Sequence, residues 1–131
     1  MSGMMSITTQ VQAYFSALER QDGVAWVALF ASDASLGGPA HTPPVVGQAA
    51  LGELFAGIAA LFETLHFDIA ALHVHGPFAV AEFNLDARAR NGRTAHADGM
   101  VAFAAGADGR FLQVAGFWDP APVFAVALAE A

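Results

Sequence analysis

The segment FNLDARARNGRTAHADGMV (residues 83–101) contains a predicted turn that fixes how the neighbouring strands pair. Asn91-Gly92 lies at its centre between two stretches of strand-forming residues, and this dipeptide is a strong short-range signal for a β-hairpin. A two-residue turn at this dipeptide places Arg88 opposite Ala95 and pairs the remaining residues accordingly. The sequence therefore predicts two antiparallel strands that meet at Asn91-Gly92.

The register of this hairpin decides which side chains face the interior, because opposed residues share one face of a sheet. If Val101 faces the interior, a row of polar side chains does so as well. This row consists of Glu82, Asn84, Asp86 and Arg88. Phe83, Leu85 and Met100 would then lie on an outer face that a second subunit would cover. A one-residue bulge reverses these assignments, and the sequence leaves both alternatives open.

The regions on either side of the hairpin complete an α+β pattern. HFDIAALHVHG and RFLQVAGFWD read as two further strands. In the first half of the chain, apolar residues at helical spacing predict three helices. Their apolar positions are Ile7, Val11, Tyr14 and Leu18 in the first, Trp26, Val27, Leu29 and Phe30 in the second, and Leu51, Leu54, Phe55, Ile58, Leu61 and Phe62 in the third. We expect these helices to pack on one face of a curved, mainly antiparallel sheet, which gives a cone with one open end.

Composition restricts the size of the fold and the class of partner. The chain has 131 residues, the size of one domain, with a core over about residues 8–120 between a short N-terminal lead and a C-terminal tail. A net charge of −7 argues against nucleic acid and anionic membranes as partners. The sequence has no cysteine, no apolar run long enough for a membrane span and no secretory signal in MSGMMSITTQ. We therefore expect a cytoplasmic protein.

Five stretches resemble the ketosteroid isomerase branch of the nuclear-transport-factor-2-like (NTF2-like) superfamily, to which SnoaL-like proteins also belong. In chain order they are VQAYFSAL, VALFASDASLGGP, PPVVG, NGR and DGRFLQVAGFWD. The resemblance covers about residues 8–120 and implies a cone-shaped NTF2-like domain and a homodimer formed through the outer sheet face. It leaves the activity open, because this superfamily contains isomerases, cyclases, hydrolases, dehydratases and non-catalytic binders.

The resemblance also implies which residues would carry catalysis. In ketosteroid isomerases a tyrosine and a protonated aspartate bind the substrate oxygen, and a second aspartate moves the proton. Tyr14 matches the tyrosine. Gly38, directly before Pro39, stands where the proton-moving aspartate is expected, and Val101 stands where the oxygen-binding aspartate is expected; a shifted alignment would use Asp98 instead. Two of the three groups are therefore replaced, and efficient ketosteroid isomerisation by the usual mechanism is not expected.

Other residues could replace the missing acids. His41, in the loop SLGGPAHTPPVVG, is either a base near neutral pH or a solvated loop histidine. Asp86 or Glu82 is the replacement acid or base if the polar row faces the interior, with Arg88 or Asn84 orienting it.

The remaining candidates are expected to line the cavity. They are Gly38, Val101, Phe103, Val114, Trp118 and Phe55, and Leu112 and Gly116 are expected to share a strand face with Val114 and Trp118. His73 and His75 share a strand face, but no third ligand stands at a recognisable spacing, so we expect neither a metal nor a cofactor.

The sequence is compatible with two classes of function. The first is an enzyme that transfers a proton on a small, largely apolar carbonyl-containing or polyketide-like molecule, with Tyr14 as the donor. The second is a protein without catalysis, which keeps the cavity for binding a small molecule or serves as a dimerisation module. The missing acids favour binding, and the retained Tyr14 favours an enzyme.

Overall fold

A computed structural model describes residues 6–129, which form helices packed on one curved, unclosed sheet. The helices are α1 (Ile7–Arg20), α2 (Gly23–Ala28), α3 (Gln48–Leu61) and α4 (Ala121–Leu128). The strands are β1 (Phe30–Gly37), β2 (Val45–Val46), β3 (Phe62–His75), β4 (Phe78–Ala89), β5 (Thr94–Ala105) and β6 (Phe111–Phe117). The spatial order is β2-β1-β6-β5-β4-β3, and only the β1–β6 pair is parallel among these residues. The predicted α+β class with a mainly antiparallel sheet is confirmed.

Helix α1 forms where the apolar spacing predicted a helix. The Ser6 hydroxyl accepts a hydrogen bond from the Thr9 amide and caps the first turn. The helix buries one apolar face, which includes Val11, Tyr14 and Leu18, and it ends at Gln21 in the left-handed region. Tyr14 is thereby held between α1 and the sheet. The first five residues of the expected N-terminal lead lie outside the described residues.

Two predicted helix ends differ from the structure, and further elements were not predicted. Phe30 and Phe62, expected in helices, are the first residues of strands β1 and β3. Strand β1 was not predicted, because its Ser- and Gly-containing sequence resembles a loop and its parallel partner β6 lies far along the chain. The expected C-terminal tail contains helix α4. Among residues 6–129, no helix combines the length and apolar character that a membrane span requires.

The hairpin between β4 and β5 closes with three residues, 90–92, instead of the two that were predicted. The Gly92 amide donates to the Ala89 carbonyl (2.9 Å), and the Ala89 amide donates to the Arg93 carbonyl (2.9 Å). Gly92 has φ of 87°, so the loop is a turn followed by a left-handed residue, the usual geometry of a three-residue hairpin with a bulge. The register shifts by one residue, and Glu82 lies opposite Met100 instead of Val101.

This shift decides which side chains meet the helices. Phe83 and Leu85 are buried on the inner face, the side that the helices cover, together with Val101 and Phe103. The polar row alternates with them and lies on the outer face: Glu82, Asn84, Asp86 and Arg88. The inward orientation that a two-residue turn gives these four residues is therefore not the one in the structure. Met100 lies on the outer face.

A second bulge changes one assignment on β6. Ala104 pairs with Gln113 and Ala105 pairs with Phe111, so Leu112 is an extra residue on its strand. Leu112 is 49% exposed, whereas an inner position was predicted for it. Val114 keeps the predicted inner position and is fully buried.

We predict that Gly92→Ala lowers the free energy of unfolding by about 1 kcal/mol or more, since a side chain at positive φ is strained. Gly57→Ala is the matched control, because Gly57 lies in α3 and an added Cβ would meet no atom within 4 Å. The control should raise the free energy of unfolding by about 0.5 to 1 kcal/mol through helix propensity. Urea unfolding measures both changes. A Gly92→Ala variant with unchanged stability would contradict the left-handed conformation of Gly92 in this turn.

Candidate functional site

A cavity of about 80 Å³ lies between the helices and the inner face of the sheet. Its wall is predominantly apolar. Its lining residues are Tyr14, Phe15, Leu18, Trp26, Leu36, His41, Leu54, Ile58, Phe62, Leu65, Phe67, Phe83, Leu85, Val101, Gly116, Trp118, Val123 and Phe124. Pockets for drug-sized ligands are typically about 300–1,000 Å³. As it stands, the cavity therefore accommodates a molecule of a few heavy atoms.

Tyr14 is buried in the aromatic part of this wall. Five aromatic rings surround it, with centroid distances from 5.1 Å to 6.3 Å. They belong to Phe15, Trp26, Phe30, Phe103 and Phe111. Burial in these apolar surroundings raises the pKa of the Tyr14 hydroxyl above its usual range, so the hydroxyl stays protonated at neutral pH. Among residues 6–129 no hydrogen bond joins its hydroxyl to another group, and the oxygen is not one of the fully enclosed unpaired atoms, which are Gln10 Oε1 and Trp26 Nε1.

Trp26 supplies a second unpaired donor in the same cluster. Its ring centroid lies 5.7 Å from that of Tyr14, and its side chain is almost fully buried. Its indole N–H has no hydrogen-bond partner among the residues described. Buried donors are usually paired, so an acceptor that reached the Tyr14 hydroxyl or, after a local shift, the enclosed Trp26 N–H would be stabilised.

His41 reaches the cavity from the loop between β1 and β2. Gly38 allows this loop to approach β6 closely: it has φ of 83°, and a Cβ added there would lie 2.5 Å from the Gly116 carbonyl oxygen. The Ala40 amide donates to the same carbonyl (3.1 Å), and the His41 amide donates to Gly38. Partial burial lowers the pKa of His41 below 6.5, so its imidazole is neutral at neutral pH.

The structure brings four of the predicted site residues together at the cavity wall: Tyr14, His41, Val101 and Trp118. Phe103 and Val114 are buried behind that wall, and neither lines the cavity. Phe55 packs against Trp26 (5.3 Å between ring centroids) and faces a surface groove between α2 and α3. Gly38 supports the loop but does not line the cavity. Its backbone also leaves no room for the aspartate that the resemblance expects there.

The polar row on β4 lies on the opposite side of the sheet from the cavity. Glu82 pairs with His73 (2.7 Å between Oε2 and Nε2), and Asp86 pairs with His96 (3.0 Å between Oδ1 and Nδ1). Arg88 contacts Glu63 at 3.5 Å. Asn84 and Asp98 face each other across the β4–β5 pair on the same outer face. The sheet therefore separates Glu82, Asp86 and Asp98 from Tyr14.

Several lining residues were not identified from the sequence as site residues. Phe83 and Leu85 were assigned outward by the two-residue turn, and Val123 and Phe124 lie on a helix that was not predicted. The bulged turn at Asn91-Gly92, which the sequence left open as an alternative, would have placed Phe83 and Leu85 on the inner face. The apolar run after Pro122 was the signal that could have predicted α4. Within residues 6–129, no group of three or more His, Asp or Glu side chains is placed to hold a metal ion.

Solved structures of the same architecture define the class of fold. A ketosteroid isomerase-like protein of Catenulispora acidiphila, in complex with trimethylamine, has a TM-score of 0.78 and 16% identity over 90% of this chain and 91% of that chain. Rv0760c of Mycobacterium tuberculosis, in complex with estradiol-17β-hemisuccinate, has a TM-score of 0.77 and 17% identity over 86% and 93%. The epoxide hydrolase/cyclase-like enzyme SalBIII, which takes part in pyran ring formation in the polyether salinomycin, has a TM-score of 0.75 and 19% identity over 86% and 89%. The fold is thus NTF2-like and ketosteroid isomerase-like.

The family follows from the sequence match. Residues 11–114 match the SnoaL-like domain, and the chain belongs to this family. The resemblance found in the sequence is therefore confirmed. No curated protein matches the chain.

We predict that Tyr14→Phe leaves the free energy of unfolding unchanged or raises it by up to about 1 kcal/mol, because an unpaired buried hydroxyl costs desolvation without gaining a hydrogen bond. Phe103→Leu is the control: it changes a ring packed 5.1 Å from that of Tyr14 and should lower the free energy of unfolding by about 1 kcal/mol. Chemical unfolding compares the two variants. A marked loss of stability in Tyr14→Phe would mean that the hydroxyl has a structural role.

Proposed function

We propose that this protein binds a small, largely apolar molecule carrying a carbonyl group and transfers a proton on it. The single observation that carries the proposal is the buried Tyr14 hydroxyl, which lines the cavity and has no partner among residues 6–129. A ligand carbonyl would accept this hydrogen bond and offset the desolvation of the hydroxyl. The complexes of the fold relatives with trimethylamine and with estradiol-17β-hemisuccinate support a small-molecule ligand.

The proposed chemistry uses Tyr14 and His41. The neutral imidazole of His41 removes a proton from the carbon beside the carbonyl, and the resulting negative charge moves onto the carbonyl oxygen. Tyr14 stabilises this enolate by its hydrogen bond. The imidazolium then returns the proton at the conjugated γ-carbon, so the double bond moves and no atom is gained or lost. These steps use no metal or cofactor.

The rate should be far below that of an efficient isomerase. A well-placed general base contributes about 10²–10⁴-fold, and one donor to the enolate oxygen about 2.7–4 kcal/mol. Val101 supplies no donor, and a histidine with a lowered pKa is a weaker base than an ordinary one. The Trp26 N–H is the one further donor that the Tyr14 cluster offers among the described residues.

A second candidate function is binding without catalysis. The observation that favours it is the absence of any carboxylate among the lining residues that the structure describes, which leaves His41 as the one side chain there that can exchange a proton near neutral pH. In this alternative Tyr14 has the same role as a donor, but the bound carbonyl compound leaves unchanged.

We predict that the protein converts the β,γ-unsaturated isomer of cyclohexenone to the conjugated one, which is followed by its ultraviolet band. Tyr14→Phe should lower kcat/KM by about 10²-fold or more, because one donor to the enolate is removed. His41→Gln should lower it by about 10²-fold or more as well. Asp86→Asn is the matched control: it neutralises an outer-face carboxylate and should leave the rate unchanged.

The pH profile separates His41 from other bases. Only the neutral imidazole can accept a proton, so kcat/KM should rise with pH and level off above a midpoint that lies below 6.5. This rise should be missing in His41→Gln. Binding of cyclohexenone without turnover, weakened in Tyr14→Phe, would contradict catalysis and support the binding alternative. Equal binding by wild type and Tyr14→Phe would contradict both.

We also propose that the outer face of β5 and β6 forms a homodimer. Met100 and Phe117 are opposite each other on this face and are 44% and 45% exposed. Ala102 and Ala115 continue the apolar surface two residues along the strands, in the next pair on this face. An exposed apolar patch of this kind is typical of an interface, and a twofold axis would bring two copies of the patch together.

We predict that Met100→Lys gives a monomer, because it places a charge at the centre of the proposed contact. Val24→Lys is the control, since Val24 is 86% exposed on α2, away from the outer sheet face. Light scattering after size-exclusion chromatography should give a dimer for wild type and Val24→Lys. A monomeric wild type would rule out the proposed dimer.

A further inference from the structure

Helix α4 closes one side of the cavity. Val123 and Phe124 project from this helix into the wall, and Val123 is almost fully buried. The Phe124 ring packs edge-on against that of Phe62, the first residue of β3 (5.8 Å between centroids). These two side chains occupy space that a larger ligand would need.

Different hydrogen bonds hold the two ends of α4. At its start, the Asp119 carboxylate accepts a hydrogen bond from the Ala121 amide (3.0 Å), a contact within the same segment. At its end, the Asn91 side chain reaches across from the hairpin loop. Its Nδ2 donates to the carbonyls of Val126 (2.9 Å) and Ala129 (3.0 Å), and more weakly to that of Ala127 (3.4 Å). Asn91 therefore bonds carbonyls at the C-terminal end of α4, where few intrahelical donors remain; the Val126 carbonyl also accepts from the Ala129 amide (3.4 Å).

Packing and this contact must together hold α4 in place. Helices shorter than about 12 residues are marginal in water, so the eight residues of α4 depend on tertiary contacts. The helix contains no charged side chain, and its exposed residues include Leu128. Its inner contacts are the apolar ones of Val123, Phe124 and Ala127. Loss of the Asn91 contact would leave the last carbonyls to water and favour movement of the helix away from the sheet.

We propose that α4 is a lid that sets the size of the ligand: Val123 and Phe124 determine which molecules fit, and Asn91 is the positioning residue that keeps the lid closed. The inference rests on the proposed function in taking the cavity as the ligand site. With the lid closed, the cavity of about 80 Å³ takes a small ketone. A steroid-sized molecule binds only to the open form, and its affinity is reduced by the fraction of protein in that form.

Asn91→Asp is the variant that tests the lid. The carboxylate can still accept the hydrogen bond that the Asn91 Oδ1 receives from the Arg93 amide (2.9 Å), so the turn is retained. It cannot donate to the helix carbonyls, and its charge is unfavourable at the negative end of a helix dipole. Asn84→Asp makes the same chemical change on the outer sheet face and is the control. Phe124→Ala enlarges the cavity and leaves the Asn91 contact in place.

Two measurements follow on each purified protein. Amide hydrogen exchange, recorded without ligand, reports opening of α4. Quenching of tryptophan fluorescence, from Trp26 and Trp118 on the cavity wall, measures the affinities of cyclohexenone and estradiol. In Asn91→Asp we expect the α4 amides to exchange about tenfold faster and the ratio of estradiol to cyclohexenone affinity to rise about tenfold, which corresponds to about 1.4 kcal/mol. Phe124→Ala should raise the same ratio, and Asn84→Asp should change neither quantity.

The outcomes separate this inference from the proposed function. Unchanged exchange of α4 in Asn91→Asp would show that Asn91 does not hold the helix. Faster exchange with an unchanged affinity ratio in both Asn91→Asp and Phe124→Ala would show that α4 does not limit ligand size. Either result would overturn the lid while cyclohexenone binding that depends on Tyr14 still supported the proposed function. If neither ligand binds to any of the proteins, the proposed function fails, and the lid fails with it as a selector of ligands.

Discussion

The register of the β4–β5 hairpin is the constraint on which the interior of this protein depends. Because side chains alternate along a strand, the one extra residue in the loop at 90–92 exchanges the two faces of β4. Phe83 and Leu85 join Val101 in the core, and the charged row joins the solvent-exposed face. The opposite register would bury Glu82, Asp86 and Arg88 against aromatic rings, at a cost of several kcal/mol for each unpaired charge. Gly92 can adopt the positive φ that the bulged turn requires, and burial of the apolar side chains of β4 favours this turn over the two-residue alternative.

Because the inner face is apolar, the Tyr14 hydroxyl is a polar group in apolar surroundings. Five rings pack around it, and none of them can accept a conventional hydrogen bond. An unpaired hydroxyl in such a place lowers stability, so a stability criterion alone would favour phenylalanine. Binding and catalytic sites commonly retain groups that cost stability. We therefore explain the hydroxyl by a ligand and not by the fold, under both of the proposed functions.

The sequence predicts some parts of this arrangement because the signals are local. Helix α1 follows from the spacing of Val11 and Leu18, and the hairpin follows from Asn91-Gly92. The register needed a choice between a two-residue and a three-residue loop, which depends on burial of the whole strand. Strand β1 is recognisable only beside β6, with which it pairs in parallel. The motifs showed that both catalytic aspartates are replaced in this chain. They did not show why no aspartate fits at position 38: the nearby Gly116 carbonyl leaves no space for a side chain.

The same loop that sets the register also reaches helix α4, and this links the inner wall to its closure. Asn91 has two roles in one amide group: its oxygen accepts from the Arg93 backbone inside the turn, and its nitrogen donates to the last carbonyls of the helix. The turn is rigid because its own backbone hydrogen bonds fix it. A donor on a rigid turn holds the helix end at one distance from β4 and β5. In the proposals made for this protein, a loop outside the cavity sets its size, while Tyr14 and His41 on its wall set its chemistry. Ligand size and reactivity can then change independently of each other in this fold.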